Sequence, residues 1–232
     1  MPTMLGLGST YGKLAQKLEF PGEVLSCRLP GVEPGEAALD RIEDIAEYCR
    51  HSLIKPEHDE WSLIGWSFGG VVAYDVARQM QDAGLNVRQV ILVDSLLPKT
   101  AADLSSLTEE DFDLALRLEL GSELVDNLNI RAILPMFRAH HAAMTRYLGG
   151  GYCGEVTEIR TGASEKRLGR AGASALRPVH DGEINLVRLA GDHYSILARE
   201  NLDVLAGAID EILSKPKIER APQSGESRRS MS

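Results

Sequence analysis

The 232-residue sequence predicts an α/β fold: a mostly parallel, twisted sheet with helices on both faces and an inserted helical segment. Three observations predict it. Short apolar runs alternate with segments of helical period along the chain, the pattern of β-α-β units. Val87 to Val93 is a continuous β-branched apolar run, as expected of a strand buried on both faces. Residues 101 to 151 then interrupt the alternation with no strand pattern at all. The length suits a single domain.

In order, Tyr11 to Leu18 reads as a short helix with Tyr11, Leu14, Ala15 and Leu18 on one face. Glu23 to Leu29 reads as a strand stopped by Pro30-Gly31. Ala38 to Leu53 is an amphipathic helix, since Leu39, Ile42, Ile45, Ala46, Cys49 and Leu53 recur at steps of three and four. An apolar strand precedes Ser67. A helix from Gly69 to about Ala83 turns Val72, Val76, Ala77 and Met80 inward, and Gly84 supplies a left-handed cap. Strands follow at Val87 to Val93, Glu155 to Thr161 and Glu183 to Leu189. The closing helix, Leu202 to Leu213, has Pro216 beyond it.

Within the insertion, Thr108-x-x-Asp111 forms a capping box that opens a helix through Leu120, and a second helix runs from Ile130 to Leu148. Helices inserted at the carboxyl edge of such a sheet form a lid over the site. One domain is therefore expected over 1–214, with its lid at about 101–151. The segment 215–232, rich in Ser, Arg, Pro and Lys, is expected to be a disordered tail.

The net charge of −9, more negative still before the basic tail, argues against nucleic acid as a partner. Cys27, Cys49 and Cys153 show neither metal-ligand spacing nor a disulfide framework, which suits a reducing cytoplasm. No membrane span or secretory leader is apparent. Gly6-x-Gly8-x-x-Tyr11 lacks the third glycine of a dinucleotide loop, and Gly12-Lys13-Leu14 lacks the Ser/Thr and earlier glycine of a P-loop. No H-E-x-x-H or Cys/His cluster points to a metal.

The chemistry sits in Gly65-Trp66-Ser67-Phe68-Gly69. This G-x-S-x-G lies between an apolar strand and a helix, the nucleophile elbow of α/β-hydrolases. A Cβ at Gly65 or Gly69 would strike the neighbouring backbone. A serine nucleophile needs a base and an acid to orient it. Among six histidines, His51 and His58 read as surface groups. His140 and His141 point about 100° apart on a helix and cannot jointly face one site, so the default for both is a lid-facing or surface role, with a place lining the pocket open to one of them. His180 lies in a loop. His193 follows the last strand at the same sheet edge as Ser67 and is the candidate base. Asp94 ends the buried run Val90-Ile91-Leu92-Val93 and is the candidate acid; its rival is Glu165, after the next strand. Asp192 reads as structural.

Three segments carry a family resemblance: Gly65-Trp66-Ser67-Phe68-Gly69-Gly70, Ile91-Leu92-Val93-Asp94-Ser95, and Gly191-Asp192-His193-Tyr194-Ser195-Ile196-Leu197. From Pro2 to about Leu213 the chain resembles the thioesterase domains that end nonribosomal peptide and polyketide synthases. The resemblance implies that the acid follows the strand after the nucleophile helix, matching Asp94 and not Glu165. Pro2-Thr3-Met4-Leu5-Gly6-Leu7-Gly8 resembles the first oxyanion loop, which places the Met4 N–H beside that of Phe68 as a donor. The implied substrate is an acyl, peptidyl or polyketidyl chain on the phosphopantetheine arm of a carrier protein, released by hydrolysis or macrocyclisation. No bound cofactor is implied.

Two other readings follow from the same residues: a free-standing editing thioesterase or general carboxylesterase, and a non-catalytic remnant that binds a carrier protein. The remnant is motivated by the short stretch before the oxyanion loop, where related domains have a strand inside the sheet. An N-terminal strand is therefore expected to be missing, with Met1 a misassigned start or the chain a piece of a longer protein.

Overall fold

In the computed structural model, residues 1–33, 35–55, 57–95, 117, 130–167, 180 and 182–215 are described. Four strands, β1 (Trp61–Trp66), β2 (Val87–Val93), β3 (Val156–Thr161) and β4 (Ile184–Leu189), lie in the order β1-β2-β3-β4. Every adjacent pair is parallel. The helices are α1 (Gly12–Ala15), α2 (Ile42–Leu53), α3 (Phe68–Asp82), α4 (Ile130–Arg146), α5 (Gly162–Arg167) and α6 (Leu202–Ser214). This is the α/β-hydrolase type of architecture.

The alternation of side chains along β2 builds both layers of the core. Val90 and Leu92 join Leu63, Phe68, Val72, Val76 and α2 residues such as Ile45 in one cluster. Ile91 and Val93 face the other way, packing with Ile159, Leu205 and Ile209 of α6. Gly84, at φ +70°, ends α3 in a Schellman arrangement: Leu85 N–H donates to Met80 O at 2.8 Å and Gly84 N–H to Gln81 O at 3.0 Å.

Register decides what the carboxyl edge presents. Trp66 pairs with Val93, Val93 with Ile159, and Ile159 with Val187. The residues that follow β1 and β2, Ser67 and Asp94, are therefore neighbours at one rim.

Three elements differ from expectation. Glu23 to Leu29 is not a strand: a groove of about 460 Å³ separates residues 20–26 from the outer edge of β1, so the segment meets no ladder. At that edge, the Met1 ammonium donates to Ile64 O and the Tyr11 hydroxyl accepts the Trp66 N–H at 3.0 Å. The first helix is shorter than its periodicity suggests, a 3₁₀ turn Ser9–Tyr11 leading into the four-residue α1. Finally, α2 begins at Ile42, with Arg41 in extended conformation before it, rather than at Ala38. The helix expected from Thr108 through Leu120 and the tail beyond Lys215 lie outside the described residues, apart from Arg117. Among the described residues, no helix is long and apolar enough to cross a membrane.

Candidate active site

Ser67 stands between β1 and α3 at φ 53° and ψ −121°. A side chain at this backbone position is strained, and crowding forces the turn to be tight. A Cβ on Gly65 would lie 2.0 Å from Gly69 O, and one on Gly69 would lie 2.8 Å from the carbonyls of Met1 and Pro2. The elbow is pinned from behind as well, since Ser67 N–H donates to Val93 O at 3.0 Å.

Three sequence candidates meet here. His193 Nε2 lies 2.9 Å from Ser67 Oγ, and His193 Nδ1 lies 2.8 Å from Asp94 Oδ2. With Nδ1–H donating to the carboxylate, Nε2 keeps a lone pair that accepts the serine hydroxyl. Asp94 is itself at positive φ, 47°, so the two non-glycine residues of the described chain in this region are both in the relay.

The Asp94 carboxylate is buried and well supplied with donors. Thr161 contributes its N–H at 2.9 Å and its hydroxyl at 3.0 Å to Oδ1, and the Ser164 hydroxyl reaches Oδ2 at 2.6 Å. Burial pushes the Asp94 carboxyl up, but the bonds from His193, Ser164 and Thr161 outweigh it, holding the group below the ordinary aspartate value. Glu165 falls in α5, one residue beyond Ser164, while the His193 Nδ1 bond goes to Asp94. Thr161 and Ser164 escaped the sequence reading. Their signal is Thr161-Gly162-Ala163-Ser164, in which Thr161 also caps α5 by accepting Ser164 N–H at 3.3 Å.

Trp66 orients the histidine loop. Its indole N–H donates to His193 O at 2.9 Å, and its ring lies 5.0 Å from the imidazole centroid. Asp192 keeps to backbone duty, accepting the N–H groups of Tyr194 and Ser195 at 2.9 Å each.

Of the other histidines, His51 and His58 are exposed. His180 is buried against Tyr74 and Tyr152. His140 departs from the default role: it is fully buried and stacked on Phe68, with ring centroids 5.0 Å apart and planes at 18°. Met4 sits in a turn closed by Gly6 N–H donating to Thr3 O at 2.8 Å. Among the described residues, neither the Met4 nor the Phe68 N–H donates to a protein acceptor.

A serine, an aspartate and a histidine in that chain order, joined at the carboxyl edge of a parallel sheet, define the α/β-hydrolase class of serine enzymes. Within that class, residues 1–213 match the Thioesterase domain family, and the chain belongs to it. It is 36% identical over 87 residues to polyketide synthase PksR of Bacillus subtilis, a match covering 37% of this chain and 3% of PksR. Against surfactin synthase subunit 3 of the same organism it is 26% identical over 221 residues, 94% of this chain and 16% of the relative. The chain thus spans a small fraction of the length of these relatives. Among solved structures it is similar to the Vlm2 thioesterase domain bound with a dodecadepsipeptide, at TM-score 0.70 and 22% identity over 90% of this chain and 93% of that one.

Proposed function

We propose that this thioesterase releases an acyl, peptidyl or polyketidyl chain from the phosphopantetheine arm of a carrier protein through an ester on Ser67. The observation that carries the reading is the unbroken relay from Asp94 through His193 to the Ser67 hydroxyl, at 2.8 and 2.9 Å. Ser67 Oγ attacks the thioester carbonyl while His193 Nε2 takes its proton, and Asp94 stabilises the resulting imidazolium. The oxyanion falls between the backbone N–H groups of Phe68 and Met4, each such donor being worth about 10²–10³ in rate. Collapse breaks the C–S bond, and His193 returns the proton to the departing thiol. Water, or an amine or hydroxyl of the acyl chain, then attacks the ester with His193 again as base.

The carrier protein is the partner, in cis or in trans, and its arm is substrate rather than resident cofactor. The domain occupies 1–214, with its lid at about 101–151 and a tail from 215. A reducing cytoplasm suits the three free thiols, two of which are hydrogen-bonded, Cys27 Sγ–H donating to Cys49 Sγ at 3.7 Å.

The test has two parts. A fluorophosphonate is expected to label the wild-type protein and not Ser67→Ala; folded wild-type protein that resists labelling favours the non-catalytic carrier-binding reading. Turnover of a carrier-bound acyl thioester is then compared with that of a p-nitrophenyl ester of the same acyl group. Faster turnover of the carrier thioester is expected, and preference for the simple ester would point to a general carboxylesterase.

A further inference from the structure

The lid helix α4 lays one face against the site. Met136 packs with Leu5, while Ala143, Met144 and Tyr147 on the same side enter the core beneath α3. His140 is the polar member of that face, one turn after Met136. Its Nδ1 lies 2.7 Å from Met4 O. A carbonyl can only accept, so Nδ1 carries the proton and the ring is a donor to the Met4 carbonyl. Burial pushes the His140 pKa down, which keeps this neutral tautomer in place. Its Nε2 is buried and meets no hydrogen-bond partner among the described residues. A half-satisfied imidazole is a poor choice for stability alone, because a buried acceptor left unpaired forfeits its hydration with no bond in return.

One ring therefore touches both residues whose N–H groups flank the oxyanion position: it stacks on Phe68 and holds the carbonyl of Met4. The peptide before Met4 is fixed inside its own turn, Gly6 N–H to Thr3 O. The peptide after Met4 is fixed from outside, by His140. We infer that His140 is a positioning residue of the oxyanion hole: by holding the Met4–Leu5 peptide, the middle one of the turn, from the lid helix, it fixes the turn that presents the Met4 N–H, so that the hole is complete only while α4 is docked on the Met4 loop. The inference rests on the acyl-transfer reading above and adds to it a coupling between lid and chemistry.

Three variants separate this role from simple packing. His140→Phe keeps the stacked ring and loses the donor. His140→Asn sacrifices the ring, yet its amide nitrogen takes the place of Nδ1. Met4→Pro removes the oxyanion N–H itself, at the second residue of a turn where proline is well tolerated. On an acyl N-acetylcysteamine thioester, His140→Phe is expected to lower kcat about tenfold to a hundredfold with KM little changed, a fraction of what one oxyanion donor supplies. His140→Asn should recover most of that loss, and His140→Phe should add little in the Met4→Pro background because both act on one group.

Activity in His140→Phe equal to wild type, losses in KM alone, or additive effects in the double variant each overturn the inference. If His140→Phe melts below the assay temperature, the comparison of His140→Asn with wild type decides: a loss in kcat of a hundredfold there assigns the role to packing. Labelling of Ser67 in every variant is read alongside. Its absence in the wild type counts against the acyl-transfer reading itself, whereas labelled, active wild type with an indifferent His140 defeats this inference alone.

Discussion

His193→Ala is expected to cut kcat for thioester hydrolysis by about a million-fold, with KM little changed. The reason is that, among the described residues, no other group can take the Ser67 proton: His193 Nε2 is the ring nitrogen within reach of that hydroxyl, at 2.9 Å. The protein should still fold. Asp94 keeps the Thr161 N–H, the Thr161 hydroxyl and the Ser164 hydroxyl after the imidazole is gone. The loss on the packing side is the contact with the Trp66 and Tyr194 rings. A melting temperature within a few degrees of wild type, together with lost turnover, is the expected pair of results. Turnover within tenfold of wild type would remove His193 from the mechanism.

The second large effect is at Asp94. Asp94→Asn is expected to lower kcat about 10⁴-fold, the loss typical when an amide replaces the orienting carboxylate. The amide nitrogen would face His193 Nδ1, forcing the ring proton to Nε2 and taking away the acceptor that Ser67 needs. Asparagine tolerates the positive φ of 47° at this position, so the fold should persist. Glu165→Gln serves as the contrast. If it abolishes activity while Asp94→Asn does not, the acid is Glu165.

The pH behaviour follows from the same carboxylate. Its folded pKa is depressed, so the stability it supplies is fully present above the ordinary aspartate value and is lost as the pH falls through the lower folded value. Acid unfolding of the wild type should steepen in that window, and Asp94→Asn should flatten it.

Much of this site could be read from the chain because its parts announce themselves locally. The elbow needs glycines around the serine, the buried run Val90-Ile91-Leu92-Val93 makes the carboxylate after it conspicuous, and His193 follows the last strand directly. The strand alternation was equally legible, since β2 feeds two separate cores through odd and even residues. What escaped depends on contacts far apart in sequence. Glu23 to Leu29 has an extended pattern, but a ladder needs a neighbour that local sequence does not specify. Thr161 and Ser164 became visible only when β3 was set beside β2. His140 could have been flagged by its spacing from Met136, Ala143, Met144 and Tyr147, which places a polar ring on an apolar face. Nothing in that spacing says it would reach Met4, 136 positions earlier.

Ser67 and Asp94, each bent into a backbone shape that glycine adopts more readily, impose a thermodynamic tax on the resting enzyme. Such residues cost about 1–3 kcal/mol apiece, part of which glycine's extra freedom in the unfolded chain would cancel. Ser67→Gly should therefore be inert yet more heat-resistant than Ser67→Ala, a ranking that thermal melts of the two dead variants can check. Robustness gained by relaxing either bend comes at the expense of the reaction, so thermostabilising changes are better sought far from this rim.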